Sequence, residues 1–275
     1  MSTAHEIFAG GTAVITGAAS GIGEGLARHA AALGMNVVLA DIDSSRVEAV
    51  AEELSSGGTR TLAMCTDVSD PHSVEVLAAS AYEQFGSIRL LVNNAGVEAP
   101  GLFWEVPVER WHQLLSINVG GVVNCVHSFL PRMINAGEQA YVLNVSSIGG
   151  LSAGPLQSPY LTSKHAVLAL SETLYLDVQA AGAPVQVSAV LPGAVRTRIY
   201  SSATGNGASG EGLRDQLDQY LSNGITPAQA AETILAQAAD GAFWIGTQPE
   251  ELTAFATYRA EHLAHLTPPA PFAPA

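Results

Sequence analysis

Short apolar runs alternate with longer amphipathic stretches from near the start of the chain almost to its end. The runs lie at 12–16, 36–40, 60–64, 90–93, 140–145, 185–191 and 243–246. Most are continuously apolar rather than alternating, the pattern of parallel strands covered on both faces. Between them, apolar residues recur at helical spacing near 22–33, 44–55, 71–85, 107–136, 159–181 and 227–239. Asp70 followed by Pro71 reads as a helix start, with proline at the first helical position. This rhythm predicts an α/β fold: a doubly wound parallel sheet of seven strands with right-handed crossovers and helices on both faces. No repeat or linker divides the chain, so residues 1–275 are expected to form a single domain.

Two segments depart from the rhythm. Residues 200–226 are rich in Gly, Ser, Asn and Ala, with a short helix expected near 211–222. A long irregular stretch in a compact domain reads as an active-site lid or a disordered segment. Beyond the last strand a helix is expected at 249–266, and the Pro/Ala-rich end, 267–275, is expected to fray.

Composition narrows the function. The chain has 275 residues, 48% hydrophobic and 13% charged, as suits a compact globule. Its 25 acidic residues against 11 basic ones give a formal net charge of −14. Nucleic-acid binding is therefore not expected, because phosphate backbones demand clustered Lys and Arg. No run reaches the roughly 18 apolar residues of a membrane span, and the first ten residues lack the order of a secretory signal. A cytoplasmic location is expected. Cys65 and Cys125 lie in apolar stretches and read as buried free thiols. The eight histidines are scattered. His262 and His265 share a helical face but lack a third ligand, and no metal is expected.

The first strand runs into Thr16-Gly17-Ala18-Ala19-Ser20-Gly21-Ile22-Gly23, which opens a helix. Glycines there let the backbone turn sharply and approach a pyrophosphate, while the helix N-terminus offers unpaired N–H groups. The spacing is G-x-x-x-G-x-G rather than G-x-G-x-x-G, and a tight turn with close helix packing is the competing reading. Asp41 ends the second strand, where a carboxylate accepts from a ribose 2′-hydroxyl and repels a 2′-phosphate. Neither Ser20 nor Ile42 supplies a neutralising cation, and Arg46 is read as lying on an exposed helix. NAD is therefore expected, with NADP the disfavoured alternative. Asp67-Val68, after the third strand, suits an adenine edge or a helix cap; Asp70 reads as a cap.

Tyr160 and Lys164 stand four apart on a helix and so share a face. A phenol with a pKa of about 10 is a poor acid or base near neutrality, and a nearby ammonium lowers that value. A serine hydroxyl opposite can hold an oxygen that becomes alkoxide-like during hydride transfer. Ser146 and Ser147 are both available in Asn144-Val145-Ser146-Ser147.

Taken together with Asn93-Asn94-Ala95-Gly96, Asn118 and Pro192-Gly193 followed by Thr197, these motifs resemble the short-chain dehydrogenases/reductases over residues 11–197. The likeness is to the ordinary single-domain type with a Rossmann-type sheet. It selects Ser147, thirteen residues before Tyr160. It implies that Tyr160 exchanges the substrate proton, that Lys164 lowers its pKa and binds the nicotinamide ribose, and that Ser147 orients the substrate oxygen. Asn118 is implied to hold a water on the proton path. Asn94, Ala95 and Gly96 are implied to line the adenosine side, with Pro192, Gly193, the Val195 backbone and Thr197 on the nicotinamide side. The activity implied is NAD-dependent oxidation of a medium-sized hydrophobic secondary alcohol, or reduction of the ketone. Alternatives are an NADPH-dependent carbonyl reductase and a catalytically silent cofactor-binding scaffold. Homo-oligomers, tetramer or dimer, are implied through the helices at 107–136 and 159–181. Phe103, Trp104 and Trp111 suit either a pocket wall or the core, and His165 reads as a packing or surface residue.

Overall fold

The computed structural model describes residues 4–271. Seven strands form one parallel sheet: β1 Thr12–Thr16, β2 Asn36–Asp41, β3 Thr61–Cys65, β4 Leu90–Asn93, β5 Ala140–Val145, β6 Val185–Leu191 and β7 Trp244–Gly246. Their spatial order is 3-2-1-4-5-6-7. The register runs Ile15 beside Leu39 on one flank and Ile15 beside Val92 on the other. Strand order reverses between β1 and β4, and a crevice opens there at the carboxyl ends of the strands.

Each continuous apolar run serves two cores. Ala13 and Ile15, Val37 and Leu39, and Leu90 and Val92 point to one face. There they meet Leu26, Ala27 and Ala30 of α2 (Gly21–Ala32), Val47 of α3 (Ser44–Ser56), and Ile234 and Leu235 of α9 (Pro227–Ala239). Val14, Val38 and Leu91 point to the other face. They meet Val74 and Leu77 of α4 (Pro71–Phe85), Phe129 and Met133 of α6 (Gly121–Ala136), and Val178 of α7 (Ser158–Ala180). Each of the buried Val, Leu, Ile, Phe and Met side chains contributes roughly 1.5–3 kcal/mol by leaving water. The caps are local: Asp43 accepts from Arg46 N at 3.1 Å, Asp70 from His72 N at 3.0 Å, and Thr226 forms a reciprocal box with Gln229.

Four details differ from the sequence reading. A short helix, α1 (Ala4–Phe8), was not expected; its Phe8 packs edge-on against Tyr141 at 5.0 Å. The helix expected at 107–136 is α5 (Val108–Leu115) and α6 joined by a π-helical turn, Ser116–Gly120. This helical stretch is long and apolar enough to cross a bilayer by length and composition. It is a partly buried core helix, with Phe129 and Met133 fully enclosed. Cys65 is exposed, because it ends β3 at the edge of the sheet; Cys125 is buried as expected. Phe103 and Trp104 are 62% and 79% exposed, so they form neither core nor pocket wall.

The lid stretch contains α8 (Gly207–Ser222), a longer helix than expected. The C-terminal helix is α10 (Pro249–Ala264). Residues 267–271 have no regular structure, yet Tyr258 Oη donates to the carbonyls of Ala270 and Pro271 at 3.3 and 3.2 Å. The rest of the stretch expected to fray, 272–275, lies outside the described residues.

Candidate active site

The crevice is a cleft of about 1130 Å³ that gathers residues from every strand end between β2 and β6. Of the residues expected to act in catalysis or to hold the cofactor, all but Gly23 and Asn118 line it.

At one end, Gly17 has φ +67°, and a Cβ there would lie 2.8 Å from Asn94 Nδ2 and 2.9 Å from Ala95 Cα. Only glycine fits that approach. Asn94 Nδ2 donates to Thr16 O and Gly17 O at 2.9 and 3.2 Å, and Thr16 Oγ1 accepts from the N–H groups of Asn94 and Ala95. The Asn94-Ala95-Gly96 segment therefore braces the glycine loop besides lining the cleft. Gly23 lies behind the loop: a Cβ would meet Gly17 O at 2.1 Å, so it serves helix-to-loop packing. Ser20 caps α2 in extended conformation without a side-chain bond to the helix. That leaves the first N–H groups of α2 facing the cleft, where Gly21 and Ile22 form its wall.

Asp41 is fixed on both oxygens, accepting from Ala19 N and Asp43 N, each at 3.0 Å. A carboxylate has further lone pairs, so it can still accept from a diol. Arg46 reaches back from α3, donates Nε to Ala19 O at 2.9 Å and turns its guanidinium to Glu24 at 3.4 Å. Asp67 is exposed and forms a turn with Ser69, while Val68 is buried against Gly121.

At the other end, Ser146 and Ser147 separate by role. Ser146 Oγ donates to Lys164 O at 2.8 Å and is buried, whereas Ser147 faces the cleft and accepts from Gly149 N at 3.0 Å. A Cβ on Gly149 would sit 3.3 Å from Ser147 Oγ and 3.6 Å from the Tyr160 ring, so serine and phenol flank one glycine. Lys164 Nζ donates to Val145 O at 2.9 Å and lies 5.4 Å from the Tyr160 ring centroid. Asn118 sits on the π turn. Its Oδ1 accepts from Val97 N at 2.8 Å, and its Nδ2 donates to Val97 O and Ser163 Oγ, both at 3.0 Å. Oδ1 keeps one lone pair; both amide hydrogens are used.

The electrostatics add a feature the sequence did not suggest. Burial pushes the Tyr160 phenol above its ordinary value, the charge of Glu98 adds to that, and Ser147 opposes it. Burial also brings Lys164 down to about 8, partly offset by Glu98. The protein groups alone thus do not lower Tyr160. Glu98 is 1% exposed and burial raises its carboxyl to about 8, against the pull of Ala99 N–H, Lys164, Gln157 and Tyr200. Sequence reading passed over Glu98 and Gln157, since each sits in a loop with no pattern to mark burial.

The C-terminal segment, whose sequence left its role open, closes this end. Gly193 N donates to Thr247 Oγ1 and Gln248 Oε1 at 3.1 Å, and Gln248 Nε2 donates to Ala194 O at 2.8 Å. Pro192, Gly193, Val195 and Thr197 are held along the cleft in this way, Val195 also bridging to Ile225. Tyr220 of α8 donates to Glu251 of α10 at 3.0 Å, tying lid to tail.

A seven-stranded parallel sheet of this order, with a glycine turn and a helix N-terminus at its switch point, defines a nucleotide-binding Rossmann-type protein. Comparison with known proteins refines that class. The short chain dehydrogenase family model matches residues 11–206. The chain belongs to the short-chain dehydrogenase/reductase family, in its single-domain form. It is 38% identical over 202 residues to the 1-deoxy-11-beta-hydroxypentalenate dehydrogenase of Streptomyces exfoliatus, covering 72% of this chain and 73% of that one. It is 32% identical over 249 residues to a CLA biosynthesis dehydrogenase/reductase of Lactiplantibacillus plantarum, covering 86% and 87%. A short-chain dehydrogenase/reductase from Burkholderia phymatum, solved in complex with NAD, superposes with TM-score 0.93 at 34% identity, over 98% of this chain and 99% of that one. The protein is an oxidoreductase of this family.

Proposed function

We propose that the protein is an NAD(H)-dependent dehydrogenase or ketoreductase acting on a medium-sized, hydrophobic secondary alcohol or ketone. The observation that carries this reading is the convergence of Ser147, Tyr160 and Lys164 on one end of a cleft whose other end is the glycine turn and Asp41. The residues fit a dinucleotide: the free N–H groups of α2 suit the pyrophosphate, Asp41 the adenosine ribose, and Lys164 the nicotinamide ribose. Bound there, the nicotinamide supplies the hydride acceptor or donor.

Ser147 Oγ holds the substrate oxygen, and Tyr160 Oη gives it a proton or takes one. Burial favours the protonated phenol, the state needed to protonate a nascent alkoxide. Oxidation needs the phenolate, which the Ser147 hydroxyl favours and the Lys164 ammonium, 5.4 Å from the ring centroid, would favour when charged. Asn118 fixes Val97 and Ser163, and its remaining lone pair suits a water on the route by which Lys164 exchanges its proton. Leu156, Leu161, Ile199, Leu217 and Phe255 give the substrate end its apolar walls.

NAD is favoured over NADP because Asp41 is fixed as a carboxylate, while Arg46 is committed to Ala19 O and Glu24. The NAD complex of the Burkholderia relative supports the same preference. Tighter binding of NADPH than NADH overturns it. Self-association as a dimer or tetramer is favoured by apolar side chains left exposed on the two long helices, Val123 on α6 and Leu176 on α7; a monomer by light scattering refutes it. A reducing cytoplasm suits the free, exposed Cys65; recovery of the chain from a secreted fraction contradicts that placement.

The deciding experiment is Tyr160→Phe. Turnover should fall by about 10²–10⁴-fold, the range for loss of a general acid–base, with NADH affinity unchanged. A variant with near-normal turnover overturns the assignment.

A further inference from the structure

Beside the Ser147–Tyr160 pair, three loops converge. Glu98 follows β4, Gln157 precedes α7, and Tyr200 begins the stretch leading to α8. A parallel bridge between Gly101 and Gln157, with Gly101 N donating to Leu156 O at 2.8 Å, draws the first two loops together. Gln157 Nε2 donates to Tyr200 Oη at 2.9 Å, and both residues line the cleft. Glu98 lies behind them. Its Oε1 accepts from Ala99 N at 2.9 Å, and its Oε2 has no hydrogen-bond partner. Gln157, Tyr200 and Lys164 are close enough to favour its charged form against burial.

A phenol offers one donor and two acceptor sites. Gln157 fills one acceptor site and the hydroxyl hydrogen is turned towards Glu98, so Tyr200 Oη retains an acceptor site at an end of the cleft walled largely by Leu156, Leu161, Ile199, Leu217 and Phe255. A buried polar cluster left partly unsatisfied in an apolar pocket marks a place where a ligand completes the bonding. A ligand hydroxyl, which can donate to that open site, matches what is left.

We propose that Tyr200, held by Gln157 and backed by the buried Glu98, forms a second polar contact that receives a hydroxyl group of the substrate other than the oxygen that reacts. The contact rests on the oxidoreductase reading above and makes it more specific. The substrate is then an otherwise apolar molecule bearing two oxygens, a diol or hydroxyketone. Tyr200 determines specificity directly; Glu98 is a positioning residue acting through it.

The test measures NAD⁺ reduction with medium-sized secondary alcohols and with diols of the same skeleton, the second hydroxyl moved along one carbon at a time. For the best-placed diol, kcat/KM should exceed that of the matched alcohol by about tenfold or more, as one hydrogen bond to a buried group supplies. Tyr200→Phe should bring that ratio to near one by lowering kcat/KM for the diols more than for the matched alcohols. Glu98→Leu should lower the ratio and Glu98→Gln, which keeps a carbonyl acceptor, should restore it. No preference for any diol, or an equal loss for both series in Tyr200→Phe, overturns the second contact alone. Failure to reduce NAD⁺ with any member of either series overturns the proposed NAD-dependent activity on secondary alcohols, and the contact with it.

Discussion

Replacing Glu98 by Gln should change how stability depends on pH. The carboxyl is held protonated in the folded state up to about pH 8 against a usual value of 4.5, chiefly by burial. Its folded pKa is raised, so its contribution to stability is full below about 4.5 and is lost as pH rises towards 8. Over that window the unfolded chain has released a proton that the folded chain retains. Each pH unit costs the folded state about 1.36 kcal/mol. From pH 5 to pH 8 the ceiling is therefore about 4 kcal/mol, reduced to the extent that Lys164 holds the carboxylate in the folded state. Glutamine has nearly the same shape and no proton to exchange, so the variant should lack this slope. Urea unfolding of both proteins at closely spaced pH values isolates the effect best below about pH 7, where Lys164, brought down to about 8 in the folded protein, is still mostly protonated. The informative quantity is the difference between curves as pH rises, not their offset, which also holds the fit of the amide. Curves that stay parallel within about 0.5 kcal/mol from pH 5 to 8 refute a protonated Glu98 in the folded protein.

Four further substitutions have outcomes set by these distances. Gly23→Ala places a Cβ 2.1 Å from Gly17 O, so the loop must move; NADH affinity, read by fluorescence titration, should fall at least about tenfold, with stability lower by about 1–3 kcal/mol. Asp41→Ala removes the acceptor for the loop at Ala19 and the repulsion of a 2′-phosphate; the NADH-to-NADPH affinity ratio should drop by about tenfold or more, and an unchanged ratio counts against the role of Asp41. Ser147→Ala should reduce kcat by about 10²-fold with little change in NADH binding, as expected for loss of a donor at the reacting oxygen; Ser146→Ala, whose hydroxyl is spent on Lys164 O, should act through thermal stability as well.

The strands are legible because each is a short apolar run, and in the central strands β1, β4 and β5 every residue is buried whichever face it serves. The limits of the reading are equally physical. Periodicity cannot register a single extra residue in a helix, so the π turn at Ser116–Gly120 was read through as continuous α-helix. Cys65 resembled its apolar neighbours, but exposure depends on β3 being an edge strand, a property of topology. Phe103 and Trp104 were plausible as core by residue type, yet they fall on a turn outside the packed layers. Within the cleft, positions tied to motif spacing were identifiable: Tyr160, Lys164, Ser147 and the glycine loop. Glu98, Gln157 and Tyr200 come together only because three loops distant in sequence meet, and no local signal distinguishes a buried glutamate from a solvated one.

The π turn has a consequence for how the domain accommodates its site. An ordinary α-helix advances about 100° per residue, so one residue inserted into its path sets the two flanking segments out of phase by that angle. Leu114 of α5 packs with Ala99 and Val106, beside the segment that carries Glu98, while Phe129 and Met133 of α6 pack on the sheet. A uniform helix would have to serve both surfaces with one fixed stripe. The wider turn acts as a coupling between two shafts: each half keeps its own facing, and Asn118 sits at the joint, bonded to Val97 in the loop after β4 and to Ser163 of α7.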